Sequence, residues 1–183
     1  MMMERKVIAI AVVLVAVVGV SGYALLLGSI GTTQVPPPNE PPGDETIIIT
    51  AGDVVLWAEA EYWQDFMPSD DPSHPFFAVI RVNITNNGNT TIENLGALRT
   101  TIYYNDTLTP FVTLNLTQAI QTLVPITVSP GESVVIEYIN DRSTVFSPTI
   151  DEGTGLYSQV LFRWGSGQEA ILTTTPTELY FTF

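Results

Sequence analysis

The chain has 183 residues, 45% of them hydrophobic, and its 19 acidic residues outnumber its 6 basic residues to give a net charge of -13. An acidic surface of this kind repels polyanions. This excludes proteins that bind the phosphate backbone of nucleic acids. The absence of cysteine excludes disulfides, thiolate metal sites and cysteine nucleophiles. The length fits one domain of ordinary size.

An uncharged apolar run follows the basic residues Arg5 and Lys6; it begins at Val7 and ends at Leu27. As a helix this run is about 31 Å long, which matches the hydrocarbon thickness of a bilayer. Because positive residues stay on the cytoplasmic side, we predict a cytoplasmic N-terminus at residues 1–6 and a transmembrane anchor at residues 7–30. The alternative is a secretory signal that is cleaved. In both cases the remainder of the chain is exported.

Residues 31–45 form the next segment and hold 5 of the 13 prolines of the chain. Consecutive prolines favour the extended polyproline II conformation, which has no internal hydrogen bonds and resists bending. We therefore predict a semi-rigid linker that separates the membrane segment from a domain at residues 46–183.

Beyond this linker, apolar residues recur with a period of two, which is typical of strands that bury one face. The alternating runs occupy residues 54–62, 76–84, 98–104, 134–138, 158–164 and 179–183. No amphipathic helical stretch follows residue 46. The pattern therefore predicts an all-β sandwich of seven to nine strands, whose last run either pairs within the sheet or completes a neighbour's open edge.

Turn residues separate these runs. Pro130 and Gly131, between Ser129 and Glu132, stand in the order that a type II turn requires. The Asn-rich residues 86–89 and the pair 105–106 tolerate positive φ, so they also favour turns. Gly165 and Gly167 separate the last long pair of strands.

Two segments carry a resemblance to a known class of proteins: residues 82–92 (VNITNNGNTTI) and residues 128–134 (VSPGESV). They resemble the strand, turn, strand and Pro-Gly-Glu turn of immunoglobulin-like domains on archaeal and bacterial surface proteins. With the predicted anchor in front, the layout is similar to that of the archaellum stator subunits F and G. The resemblance implies an immunoglobulin-like β-sandwich that contacts the surface layer outside the membrane.

Four Asn-x-Ser/Thr sequons lie on the predicted external side of the membrane; they begin at Asn83, Asn89, Asn105 and Asn115. Exported sequons of this form are acceptors for N-glycosylation. Asn and Thr are also common in turns for backbone reasons alone. We expect modification at two or more sites, with Asn89 and Asn105 favoured because each lies in or beside a turn.

An acidic loop contains Asp65, Asp70, Asp71 and the single histidine, His74. Carboxylate oxygens are the ligands that calcium prefers, so the three aspartates could supply part of a weak calcium site. The alternative is a solvated acidic loop. No other cofactor is expected.

Catalytic residues are scarce in this sequence. His74 is not part of a recognisable hydrolase motif, and Glu59, Glu61 and Glu137 fall at the solvent-facing positions of predicted strands. We therefore expect neither an enzyme nor a small-molecule substrate. The aromatic residues nearest the acidic loop could form a contact patch, or they could belong to the core of neighbouring strands; they are Trp57, Trp63, Phe66, Phe76 and Phe77.

These features together predict a non-enzymatic cell-envelope glycoprotein, anchored in the membrane through the Val7 to Leu27 run. Its external domain would contact envelope or surface-layer proteins, or copies of itself. The alternative is a secreted, processed subunit of a filament or pilus. In that case the apolar segment is removed, and a strand such as residues 46–50 inserts into the next copy.

Overall fold

The structure is a computed structural model, and it describes residues 42–67, 73–120, 125–140 and 146–183. These residues form ten strands and no helix: β1 (Ile49–Ala51), β2 (Val54–Asp65), β3 (Phe76–Asn86), β4 (Gly96–Tyr104), β5 (Pro110–Gln118), β6 (Ser133–Asn140), β7 (Gly155–Trp164), β8 (Gln168–Thr173), β9 (Thr177–Glu178) and β10 (Tyr180–Thr182). The all-β prediction is confirmed, with ten strands rather than seven to nine.

The predicted N-terminus and anchor, residues 1–30, lie outside the described residues, as does the linker up to residue 41. Within the described residues, no helix has the length and apolar character needed to cross a membrane.

The strands form one sheet in the order β1-β2-β3-β6-β5-β4-β7-β8, with β10 beside β2 and β9 beside β7. All pairs are antiparallel except β10 and β2, which run parallel. β5 pairs with β4 between Pro110 and Asn115 and then with β6 from Leu116 to Gln118. The sheet therefore curls, with β2, β3 and β6 on one side of the core and β4, β7 and β8 on the other.

The inward positions of both sides fill a common core, as the alternating pattern predicts. Its main cluster joins residues of β2, β3 and β6 to residues of β4, β7 and β8. Fully buried members include Leu56, Ile80, Ile84, Val160 and Phe162. Each fully buried apolar side chain contributes about 1.5–3 kcal/mol relative to an exposed one, so this alternation supplies most of the driving force for folding.

In β4 the predicted alternation is wrong at its first position. Its register against β7 shifts between Ala97 and Arg99, as at a β-bulge. Ala97 is consequently buried at 5% exposure, whereas Leu98, predicted to face inward, is 37% exposed. After the shift, Thr100 and Ile102 face the core as predicted.

The turn predictions have mixed outcomes. Gly131 has φ of 79°, and the Glu132 N–H donates to the Ser129 carbonyl at 3.0 Å, which confirms the type II turn. The sequence also suggested turns with positive φ at residues 86–89 and 105–106, but none of these residues has a positive φ. In the β4–β5 hairpin it occurs at Leu108, with φ of 57°.

Buried asparagine side chains form hydrogen bonds with the backbone at both ends of β3. The Asn140 Oδ1 accepts from the Ala78 N–H at 2.8 Å, and its Nδ2 donates to the Phe76 carbonyl at 3.2 Å. This side chain continues the pairing of β6 with β3 beyond the last backbone pair, Val79 and Ile139. Asn86 acts similarly at the other end of β3, where its Nδ2 donates to the Thr90 and Val128 carbonyls at 2.8 and 2.9 Å.

We expect Asn140→Ala to lower the free energy of unfolding by about 2–3 kcal/mol, because it leaves the buried N–H of Ala78 without a partner. Urea denaturation followed by tryptophan fluorescence measures this change. Asn87→Ala, at an exposed position in the loop after β3, is the matched control and should stay within about 0.5 kcal/mol of the parent. Equal stability of the two variants would contradict the role of Asn140.

Candidate interaction surface

The two outer surfaces of the curled sheet differ in chemistry. We call the outer surface of β10, β2, β3 and β6 the aromatic face, and that of β4, β5, β7 and β8 the polar face. The aromatic face carries Trp57, Trp63, Phe77, Val135 and Tyr180, together with Val79 and Ile139, which are buried at 6% and 9% exposure. The polar face carries Thr, Asn, Gln and an Arg–Glu pair, and also the cross-strand pairs Leu161–Ile171 and Tyr103–Tyr157.

An aromatic row crosses three strands at one end of the aromatic face. Tyr180 of β10 lies opposite Trp63 of β2, which lies opposite Phe77 of β3. The ring centroids of Trp63 are 6.3 Å from those of Tyr180 and 5.2 Å from those of Phe77, and both pairs stack nearly parallel. Tyr180 remains 41% exposed at the end of this row. The stack presents aromatic surface at low entropic cost, because each ring already packs against its neighbour.

A charged cluster lies next to the row on the same face. The Arg81 guanidinium bonds to the carboxylates of Glu61 and Glu137, each at 3.0 Å, and Glu59 lies opposite it in the ladder. Partial burial opposes the charge of Arg81, but the two carboxylates outweigh it and raise the pKa of the guanidinium above its usual value. Glu59, Glu61 and Glu137 thus lie on the outer side of their strands, as predicted. Two of them, Glu61 and Glu137, form ion pairs with Arg81.

The opposite end of the aromatic face is centred on Asn83. It lies between Trp57 of β2 and Val135 of β6. Val135 is 56% exposed, although it is a large apolar residue in the middle of a strand. Apolar side chains thus flank the Arg81 cluster on both sides, as in protein interfaces where a polar group fixes the register of an apolar patch.

The polar face shows a different arrangement. Thr101 and Thr113 share a hydrogen bond at 3.1 Å across β4 and β5, and the Arg163 Nε donates to Glu169 at 2.8 Å across β7 and β8. One aromatic pair is present, Tyr103 and Tyr157, with ring centroids 5.2 Å apart. Burial, together with the nearby Tyr103, raises the pKa of Tyr157 to about 12. Most of this face is suited to water.

The aromatic residues predicted from the sequence as one patch separate into three environments. Phe76 is buried in the core, while Trp57, Trp63 and Phe77 lie on the aromatic face. Phe66 lies at the end of the sheet, where its ring stacks on His74 at 4.2 Å and contacts Phe181 at 4.5 Å. Tyr180 was not identified from the sequence, because its position depends on the parallel pairing of β10 with β2.

The predicted calcium site falls partly outside the described residues, since Asp70 and Asp71 lie there. The Asp65 Oδ1 accepts a hydrogen bond from the Met67 N–H at 2.8 Å. In the part of the chain that the structure describes, no group of three or more His, Asp or Glu side chains could hold a metal ion. The calcium site remains a prediction.

The sequons differ in accessibility. Asn89 is exposed in the loop after β3, and Asn115 is exposed on the polar face. Asn83 is half-buried in a strand that is paired on both sides. Asn105 is half-buried in the β4–β5 turn, and its Oδ1 is buried without a hydrogen-bond partner in the described structure.

Comparisons with known proteins give little further information. No family model matches the chain, and no curated protein matches it. One solved structure, described as Northeast Structural Genomics Consortium target SoR45, is similar at 15% identity and a TM-score of 0.36. The match covers 70% of this chain and 86% of that one. A likeness this weak carries no functional argument.

We expect glycans at Asn89 and Asn115 and none at Asn83, because a transferase must reach the amide nitrogen in an exposed position. Asn105, favoured from the sequence, ranks below Asn115 because its amide oxygen is buried. Glycopeptide mass spectrometry of the native protein measures occupancy, and single Asn→Gln variants assign each site. A glycan at Asn83, with Asn89 and Asn115 empty, would contradict this order.

Proposed function

We propose that this chain is a non-enzymatic, membrane-anchored cell-envelope protein whose external domain binds an envelope or surface-layer protein through the aromatic face. The apolar run from Val7 to Leu27 supports the anchor, because its length and flanking positive charge suit a single membrane span. The Pro-rich residues 31–45 support a spacer between lipid and domain.

The proposal includes an immunoglobulin-like sandwich. Such domains place strands A, B and E in one sheet and strands C, F and G in the other. With β2 taken as strand A, the neighbours β2, β3 and β6 match the first set, and β4, β7 and β8 match the second. β5 takes the place of strand D beside β6 at Leu116–Gln118, and over Pro110 to Asn115 it pairs with β4 instead. This strand order supports the resemblance read from residues 82–92 and 128–134.

The contrast between the two outer faces carries the functional proposal. Both are outer surfaces of one domain, but Trp57, Trp63 and the exposed side chains of Val135 and Tyr180 all lie on one of them. Tyr and Trp are enriched at the centres of protein interfaces, and arginine is enriched beside them. The Trp63 and Tyr180 stack, with Arg81 adjacent, has this composition. The Thr-rich polar face is suited to solvent and to the glycan predicted at Asn115.

We expect Val135→Asp and Tyr180→Asp together to abolish capture of the partner, because the added charges must be desolvated on binding. Both residues are exposed, so the fold should be retained. The measurement is chemical cross-linking in intact envelopes, followed by purification of the full chain and mass spectrometry of its adducts.

The matched control is Thr113→Asp on the polar face, which adds negative charge at an exposed strand position. It should leave the adduct unchanged. Loss of the adduct in the control alone, or equal loss in both proteins, would show that the aromatic face is not the binding surface.

A processed filament subunit is the second candidate. The observation in its favour is the brevity of β1: only Ile49–Ala51 pair with β2, while the preceding Ile48 is 61% exposed. A short, apolar edge segment of this kind suits exchange between copies.

The N-terminus of the native protein separates the two candidates. We expect Edman sequencing, after removal of any blocking group, to begin at Met1 or Met2, because a membrane anchor must retain the apolar run. Recovery of the chain with the membrane fraction after an alkaline wash is the accompanying control. A first residue near Leu25 would identify a processed chain and overturn the anchor.

A further inference from the structure

β8 forms one edge of the curled sheet. It pairs with β7 from Gln168 to Thr173, and among the described residues no strand pairs with its other side. At the opposite end of the strand order, β1 covers Val54 to Leu56 of β2 and β10 covers Trp63 to Asp65. The uncovered residues 57–62 between them include Glu59 and Glu61, whose charges disfavour a further strand. β8 therefore presents a six-residue edge without a partner strand along its whole length in the described structure.

The hydrogen bonds between β8 and β7 show which N–H and C=O groups of β8 point away from β7. The Thr174 N–H donates to the Ser158 carbonyl at 2.9 Å, so even-numbered residues of this segment point their backbone toward β7. In an antiparallel ladder the alternate residues point the other way. The N–H and C=O groups of Glu169, Ile171 and Thr173 therefore lie along the open edge, where no described residue bonds to them.

This edge lacks the usual protection against pairing. Natural edge strands carry lysine, proline, a bulge or an unpaired charge that disfavours a second strand. β8 reads QEAILT, and its register against β7 is regular. Its one charged residue, Glu169, is neutralised within the domain by Arg163, whose Nε donates to it at 2.8 Å.

We propose that β8 pairs antiparallel with β8 of a second copy, about a two-fold axis at Ile171, to join the sheets of two domains. Because Ile171 points its backbone outward, it exchanges two hydrogen bonds with Ile171 of the second copy. Glu169 and Thr173 then form the flanking pairs. About six hydrogen bonds satisfy all the outward groups of the edge at once.

The side chains fit this register as well as the backbone does. Glu169 lies opposite Thr173 of the other copy, so no carboxylate faces another across the axis. The two Ile171 side chains meet on the polar face, and β-branched pairs of this kind stabilise antiparallel strands. On the inner side, Ala170 lies opposite Leu172, which combines a small and a large apolar side chain. These features favour a second copy of this chain over an unrelated strand.

Cysteine cross-linking tests the register directly, because the natural chain has no cysteine. The variants are Glu169→Cys and Thr173→Cys in the full chain, co-expressed with different tags and treated in membranes with a short thiol-reactive cross-linker. In the proposed pairing, position 169 of one copy faces position 173 of the other. Equal positions lie about 13 Å apart, at about 3.3 Å per residue.

We expect a mixed-tag dimer from the co-expressed variants at a level several-fold above the dimer formed by either variant alone. The single variants are the controls for collision, since each carries an equally placed thiol. Absence of the mixed dimer, or equal yields from the mixture and the single variants, would overturn the proposal.

A substitution at the axis gives the second measurement. In the co-expressed cysteine pair, Ile171→Lys places two ammonium groups across the axis and should abolish the mixed dimer, whereas Ile171→Val should preserve it. Ile171 is only half-buried, and circular dichroism checks that each variant keeps its β signal. Undiminished cross-linking in the lysine variant would also overturn the proposal. The outcome is independent of the partner proposed for the aromatic face.

Discussion

The folded part of this chain depends on β5 changing partners within a single strand. Pro110 to Asn115 pair with β4, and Leu116–Gln118 continue onto β6. Without a helix in the described residues to cover either half, a flat sheet would leave one apolar face in water. The change of partner closes one side of the structure around a shared core, and it removes two edges that separate sheets would expose.

Buried amides complete what the backbone ladders leave unfinished. Asn140 continues the pairing of β6 with β3, and Asn86 fastens the loop after β3. Gln64 does the same at the end of β2, where its Nε2 donates to the carbonyls of His74 and Pro148 at 2.8 and 2.9 Å. Polar groups in these positions cost free energy unless they are paired, so each of them fixes a specific chain path.

The two proposed contact surfaces belong to different halves of the sheet. The aromatic face lies on β10, β2, β3 and β6, whereas the open edge belongs to β8. A dimer through β8 would leave Trp63 and Tyr180 available on each domain, and would present two copies of the aromatic face to the envelope. Two linked sites of this kind raise the apparent affinity for a repetitive surface without any new contact.

Most of the fold could be predicted from the sequence, because a strand's side chains alternate between its two faces with a period of two. The runs at residues 54–62, 76–84 and 158–164 therefore identified their buried faces correctly. The shift at Ala97 could not be predicted, since a bulge depends on how a strand fits its neighbour. The aromatic face was predicted only in part: Trp57, Trp63 and Phe77 were candidates, while Tyr180 and the Arg81 cluster were not grouped with them.

The sequence by itself determined where six of the ten strands lie, which side of most of them is buried, and where the type II turn forms, since these follow from local spacing and local backbone preference. Strands β1, β5, β8 and β9 carry no such alternating run. The tertiary structure alone decided which strands are neighbours. Residues that lie opposite each other in the sheet, such as Trp63 and Tyr180, are separated by more than one hundred residues, and no local pattern encodes that pairing. The aromatic row and the open edge of β8 both arise from strand order, and strand order is set by how the whole sheet closes around its core.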